Sequence, residues 1–151
     1  MARVYVSSVI PAEASRVWER IRDFNALPKW HPRIRDSRIE DALPSDKIGC
    51  IRSFHLQSGD NIREQLVGMS DYDLFVTYVM LDGPQPWSDY MATLRLTPVT
   101  DTGHCFAEWS AEFNCDPRDE SDLVTGTGRN VFQGGFDALK RTHGRGVFGS
   151  D

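Results

Sequence analysis

No apolar run in these 151 residues approaches the ~20 that a membrane-crossing helix needs, so no membrane span is expected. Cysteine is scarce as well. Cys50, Cys105 and Cys115 are odd in number, widely spaced and without a CxxC pair, which argues against a disulfide framework or a thiolate zinc site and favours a reducing, cytoplasmic setting. The start, MARVYVSSVIP, lacks the basic region, apolar block and small-residue cleavage site of a secretory signal; the mature chain is expected to begin at Met1 or Ala2. Positive charge is in deficit: 17 Lys and Arg against 22 Asp and Glu give a formal net charge of -5, which excludes a broad phosphate-binding surface and hence nucleic acid as partner. One buried arginine would still hold an acidic ligand. His31, His55, His104 and His143 lack HxH or HExxH spacing, so no metal is expected. Cofactor motifs are missing too: GTGRN, from Gly126, has no preceding strand and no Walker lysine, and there is no GxSxG elbow. The DTG triplet at Asp101 falls between two strands, where Asp and Gly are ordinary turn residues.

What is present is the composition of one soluble domain, 40% hydrophobic and 26% charged. Residues 3–10 favour a strand that stops at Pro11, and Ala14, Val17, Trp18, Ile21 and Phe24 recur at helical spacing. Another helical turn fits Asn25 to Trp30, before Pro32 disfavours helix at His31. Six strands follow, near Arg35–Glu40, Cys50–Gln57, Ile62–Ser70, Leu74–Leu81, Asp89–Pro98 and His104–Asn114, joined by Gly-, Asp-, Asn- and Pro-rich turns. Tyr90, Ala92, Leu94 and Leu96 alternate with more polar neighbours, as do Cys105, Ala107, Trp109, Ala111 and Phe113, so one sheet face is buried. A last helix, capped by Ser121, carries Val124, Val131, Phe132, Phe136 and Leu139 as its stripe. It also contains Gly126, Gly128, Gly134 and Gly135, each costing about 1 kcal/mol against Ala; they serve either close packing or room for a ligand. The fold class is therefore α+β: an antiparallel sheet whose apolar face must be covered by the long C-terminal helix. A single domain over 1–143 and a flexible tail over 144–151 are expected.

Three pieces, VSSVIPAEASRVWERIRDFNALPKWHP, DKIGCIRSF and the last helix ending FDALKR, resemble the SRPBCC superfamily (START/Bet v 1-like), in its bacterial polyketide cyclase/dehydrase branch. The resemblance spans nearly the whole chain. It implies a helix-grip fold, with a seven-stranded antiparallel sheet curved around the C-terminal helix, two short helices after the first strand, and a cavity for lipids, polyketides, hormones or other apolar molecules. A more distant likeness joins IGCIRSFHLQSGDNIREQL and MLDGPQPWSDY to plant abscisic-acid receptors. It implies lids at Ser58–Asn61 and Asp82–Pro86, but Asp60-Asn61 stand where the receptor lid is apolar, which argues against hormone-type signalling.

The same likeness points Glu64 into the cavity, where desolvation would raise its pKa and fit it for general acid or base work, with Arg35 or Arg52 as partner. It also puts Arg35 where relatives bind a carboxylate. The aromatic residues Trp30, Phe54, Tyr78, Tyr90, Trp109, Phe132 and Phe136 serve either as core or as cavity wall. In LPKWHP, Leu27–Pro32, Trp30 is expected to plug the helix corner and His31 to be held outward by Pro32. Three functions stay in play: a carrier of a small hydrophobic or amphipathic molecule; a cyclase/dehydrase with Glu64 as acid or base and Tyr78 or Tyr90 assisting; and a non-catalytic interaction protein with a filled cavity. Whether the chain is an enzyme, and whether it forms a homodimer, stay undecided at this level.

Overall fold

Strand β1 (Ala2–Ile10) ends just before Pro11, which has no N–H to extend a ladder. Helix α1 (Ala14–Ile21) then buries Ala14, Val17, Trp18 and Ile21, the stripe that the three-and-four spacing dictates. Its outer end is tied down by Asp71, which accepts from Trp18 Nε1 at 2.8 Å and from Arg22. Helix α2 (Leu27–Trp30) is one turn with Pro28 near its start, and the chain leaves it in extended geometry at His31.

Six strands follow: β2 (Ile34–Ile39), β3 (Ile51–Leu56), β4 (Asn61–Ser70), β5 (Phe75–Asp82), β6 (Trp87–Pro98) and β7 (Cys105–Cys115). The computed structural model describes the backbone of residues 1–148 and the side chains of residues 1–143. All seven strands form one antiparallel sheet in the order β1-β7-β6-β5-β4-β3-β2. Consecutive strands are neighbours from β2 to β7, because short turns leave an antiparallel hairpin as the nearest partner. Gly59, at φ +97°, takes the left-handed turn between β3 and β4 that a side chain would disfavour. Register shifts interrupt β2, β4 and β6, bending the sheet so that its apolar face is concave. Tyr90, Ala92, Leu94 and Leu96 lie on that face, as do Cys105, Ala107, Trp109, Ala111 and Phe113, and all nine are buried.

The C-terminal helix fills the concavity in three consecutive pieces: α3 (Pro117–Gly126), a π-helical segment Thr127–Gln133, and α4 (Gly134–Phe148). Its cap is not Ser121. Asp116 accepts from the Arg118 N–H at 3.0 Å, and Pro117 takes the first position, where a helix has no use for an N–H. The polar run RDESD therefore belongs to the first turns, where Asp119 and Glu120 also face the positive end of the helix dipole. Phe132, Phe136 and Leu139 are fully buried against the sheet. Of the tail expected over 144–151, the backbone of 144–148 belongs to α4, while the side chains of 144–148 and residues 149–151 lie outside the described part of the chain.

Gly135 accounts for how closely this helix approaches the sheet. A Cβ there would stand 2.9 Å from Trp109, 3.0 Å from His31 and 3.1 Å from Trp30. Close packing therefore accounts for Gly135, whereas Gly126 stands at open space beside a pocket.

Candidate functional site

The site is built on a cross-strand pair. Arg52 in β3 stands opposite Glu64 in β4, and both side chains are on the buried face under the C-terminal helix. The Arg52 Nε and one terminal nitrogen donate to Glu64 Oε1 at 3.0 and 2.8 Å, and the other terminal nitrogen donates to the Phe24 carbonyl at 3.2 Å. The guanidinium carbon also lies 3.9 Å from the centre of the Phe24 ring and 4.8 Å from that of Tyr78. Burial pushes the Glu64 carboxyl above its ordinary range, while the Arg52 charge and hydrogen bonds pull the other way. Among the described residues no side chain or backbone group donates to Glu64 Oε2.

Two phenols lie beside the pair. The Tyr78 oxygen accepts from Trp109 Nε1 at 3.1 Å, and the Tyr90 ring stacks on Trp87 with centroids 4.7 Å apart. Burial pushes both phenols above their ordinary pKa, so both keep their protons at neutral pH. Around this polar floor is a pocket of about 220 Å³, walled by Leu27, Ile34, Phe54, Leu56, Ile62, Met80, Trp87, Leu123 and Val131, with exposed Arg33, Asp122 and Asn130 at its edge.

His31 also lines the pocket, contrary to the outward position expected from Pro32. The extended backbone at the end of α2 turns its ring beneath the C-terminal helix, where it is only 2% exposed. Its Nε2–H donates to the Val131 carbonyl at 2.7 Å, and its Nδ1 accepts from the Arg33 N–H at 3.3 Å. Those two bonds require the neutral ring, and desolvation pulls its pKa down to about 4.

Of the residues singled out in the sequence, Phe54, Glu64, Tyr78, Tyr90 and Trp109 meet around one pocket. Trp30, Phe132 and Phe136 pack behind Trp109, with Phe132 stacked on it at 4.5 Å between centroids. Arg35 is elsewhere. Its side chain is half exposed and bonds Asp36 at 3.2 Å, because Ile34 takes the inward position at the start of β2; Arg33 and Arg52 are the pocket's arginines. The Ser58–Asn61 turn contributes no lining residue, although Leu56 and Ile62 on either side of it do, and Gln85 represents the Asp82–Pro86 loop. Arg33, Trp87 and Asn130 went unnoticed as lining residues. Only Trp87 carried a signal, as an aromatic residue next to the second loop.

Solved structures of the same fold are close in length and shape. A solution structure of a Thermobifida fusca protein is 30% identical, with a TM-score of 0.88, covering 100% of this chain and 98% of that one. The protein XoxI from Bacillus cereus is 26% identical at a TM-score of 0.84, covering 94% and 95%, and a Bacillus thuringiensis protein is 26% identical at 0.80, covering 93% and 98%. No curated protein matches the chain. The family described as polyketide cyclase / dehydrase and lipid transport matches residues 1–144, nearly the full length over which the helix-grip architecture extends, and the chain belongs to that family.

Proposed function

We propose that the protein binds a small hydrophobic or amphipathic molecule in the pocket between the sheet and the C-terminal helix. The observation that carries this reading is an apolar space enclosing a few convergent polar groups, the usual make-up of a small-molecule site. The lipid-transport part of the family description supports it. At about 220 Å³ the space is below the ~300–1,000 Å³ of drug-sized sites, which suits a compact ring system rather than a long acyl chain. Native mass spectrometry of protein isolated from its own cells tests the reading. A stoichiometric small-molecule adduct, lost on denaturation, is expected; no adduct and no saturable binding of apolar probes would sink it.

A second reading, acid–base catalysis of the cyclase/dehydrase kind, is favoured by one specific feature. Glu64 Oε2 has no protein donor, faces a pocket, and sits next to two neutral phenols. In that reading Glu64 moves a proton at Oε2 while Tyr78 or Tyr90 hydrogen-bonds the developing oxygen charge. Glu64→Gln separates the two: turnover lost with binding retained supports catalysis.

A further inference from the structure

We infer that the pocket takes a neutral molecule ending in a hydroxyl group and turns away the corresponding carboxylate. The inference rests on the binding reading above and concerns what the polar floor can recognise. Each of the three Arg52 guanidinium nitrogens already donates to a protein oxygen, two to Glu64 and one to Phe24, and its faces lie against aromatic rings. An incoming anion finds only the second N–H of each terminal nitrogen, on groups already held by Phe24 and Glu64. It also meets the Glu64 carboxylate, whose field in this buried setting is poorly screened. Charge on the ligand is therefore opposed at the floor of the pocket.

The same groups suit a hydroxyl. Glu64 Oε2 is an acceptor without a protein donor among the described residues. Tyr78 accepts from Trp109 Nε1, and its own proton is left to donate. An alcohol or phenol O–H gives its proton to Glu64 and takes one from Tyr78, so both needs are met by one atom. A hydrocarbon without that atom leaves both groups unpaired, a penalty that an apolar wall does not offset.

Three probes of one shape test this: naphthalene, 1-naphthol and 1-naphthoate, titrated near neutral pH and followed by tryptophan fluorescence. Naphthol is expected to bind at least about tenfold more tightly than either of the others. In Tyr78→Phe that advantage over naphthalene should fall to within about threefold. In Glu64→Gln the freed Arg52 should tighten naphthoate by about tenfold or more. Equal binding of naphthol and naphthoate to the unaltered protein would overturn the inference and leave the binding reading standing. So would an unchanged naphthol advantage in Tyr78→Phe, which decides the matter even where Glu64→Gln does not fold. Failure of all three probes to bind would overturn both.

Discussion

His31 is one residue whose environment fixes its own pH response. In the unfolded chain it titrates at its ordinary 6.5, and in the fold at about 4, so between those values the unfolded state binds more protons. Its contribution to stability is therefore fully present above pH 6.5 and is lost as pH falls through 4, a total of ~3 kcal/mol. The charges facing it are Arg33 and Arg52, both of which oppose protonation alongside the loss of solvent. Urea unfolding across that pH range should give a steeper fall for the unaltered protein than for His31→Asn, with a difference of about 3 kcal/mol; parallel curves would show that His31 does not titrate in this window. None of this was legible in LPKWHP. The proline correctly marked the end of the helix, but the direction of the ring depends on a carbonyl a hundred residues away.

At the scale of the element, the C-terminal helix makes two opposite predictions from one residue type. Gly135→Ala places a methyl group within 3.1 Å of three rigid rings and should destabilise the protein by ~1–3 kcal/mol despite alanine's better helix propensity. Gly126→Ala meets open space at ordinary helical dihedrals, φ -63° and ψ -46°, and should stabilise it by ~0.5–1 kcal/mol. Chemical denaturation of the two variants checks the signs. The sequence displayed four glycines and a penalty; which of them faced Trp109 and which faced open space beside the pocket depended on how the helix lay on the sheet. The π segment was illegible for a related reason. Its wide turn carries Val131, whose carbonyl accepts from His31, and Thr127, Asn130 and Val131 at the pocket, all set by tertiary fit. The true cap was legible in Asp116-Pro117 and was obscured by the polarity of the residues after it.

Among the described residues the molecule is a bent sheet wrapped on a helix with a pocket between them, and that pocket should be separable from stability. Leu123→Trp, on α3 at the pocket wall, should abolish binding of apolar probes while leaving the melting temperature unchanged or raised, since filling a void adds contacts. A fall in melting temperature together with lost binding would mean that the pocket wall and the core are one unit. The architecture itself was readable because period-two patterns in Tyr90–Leu96 and Cys105–Phe113 name the buried face whatever the partner strand. Within the site, Tyr90 and Trp109 were readable from that alternation, whereas Glu64 was readable only from the likeness to the abscisic-acid receptors; the same likeness misplaced Arg35, which lies next to the register shift in β2. The Arg52–Glu64 pair has a consequence for how such a chain can evolve. Losing either partner strands a buried charge, a loss of ~3–5 kcal/mol out of the ~5–15 kcal/mol that a domain has, whereas replacing both with apolar residues is often neutral. Single substitutions at either position should therefore be selected against, and the two should change together or not at all, whereas the apolar walls should accept other apolar residues of similar volume.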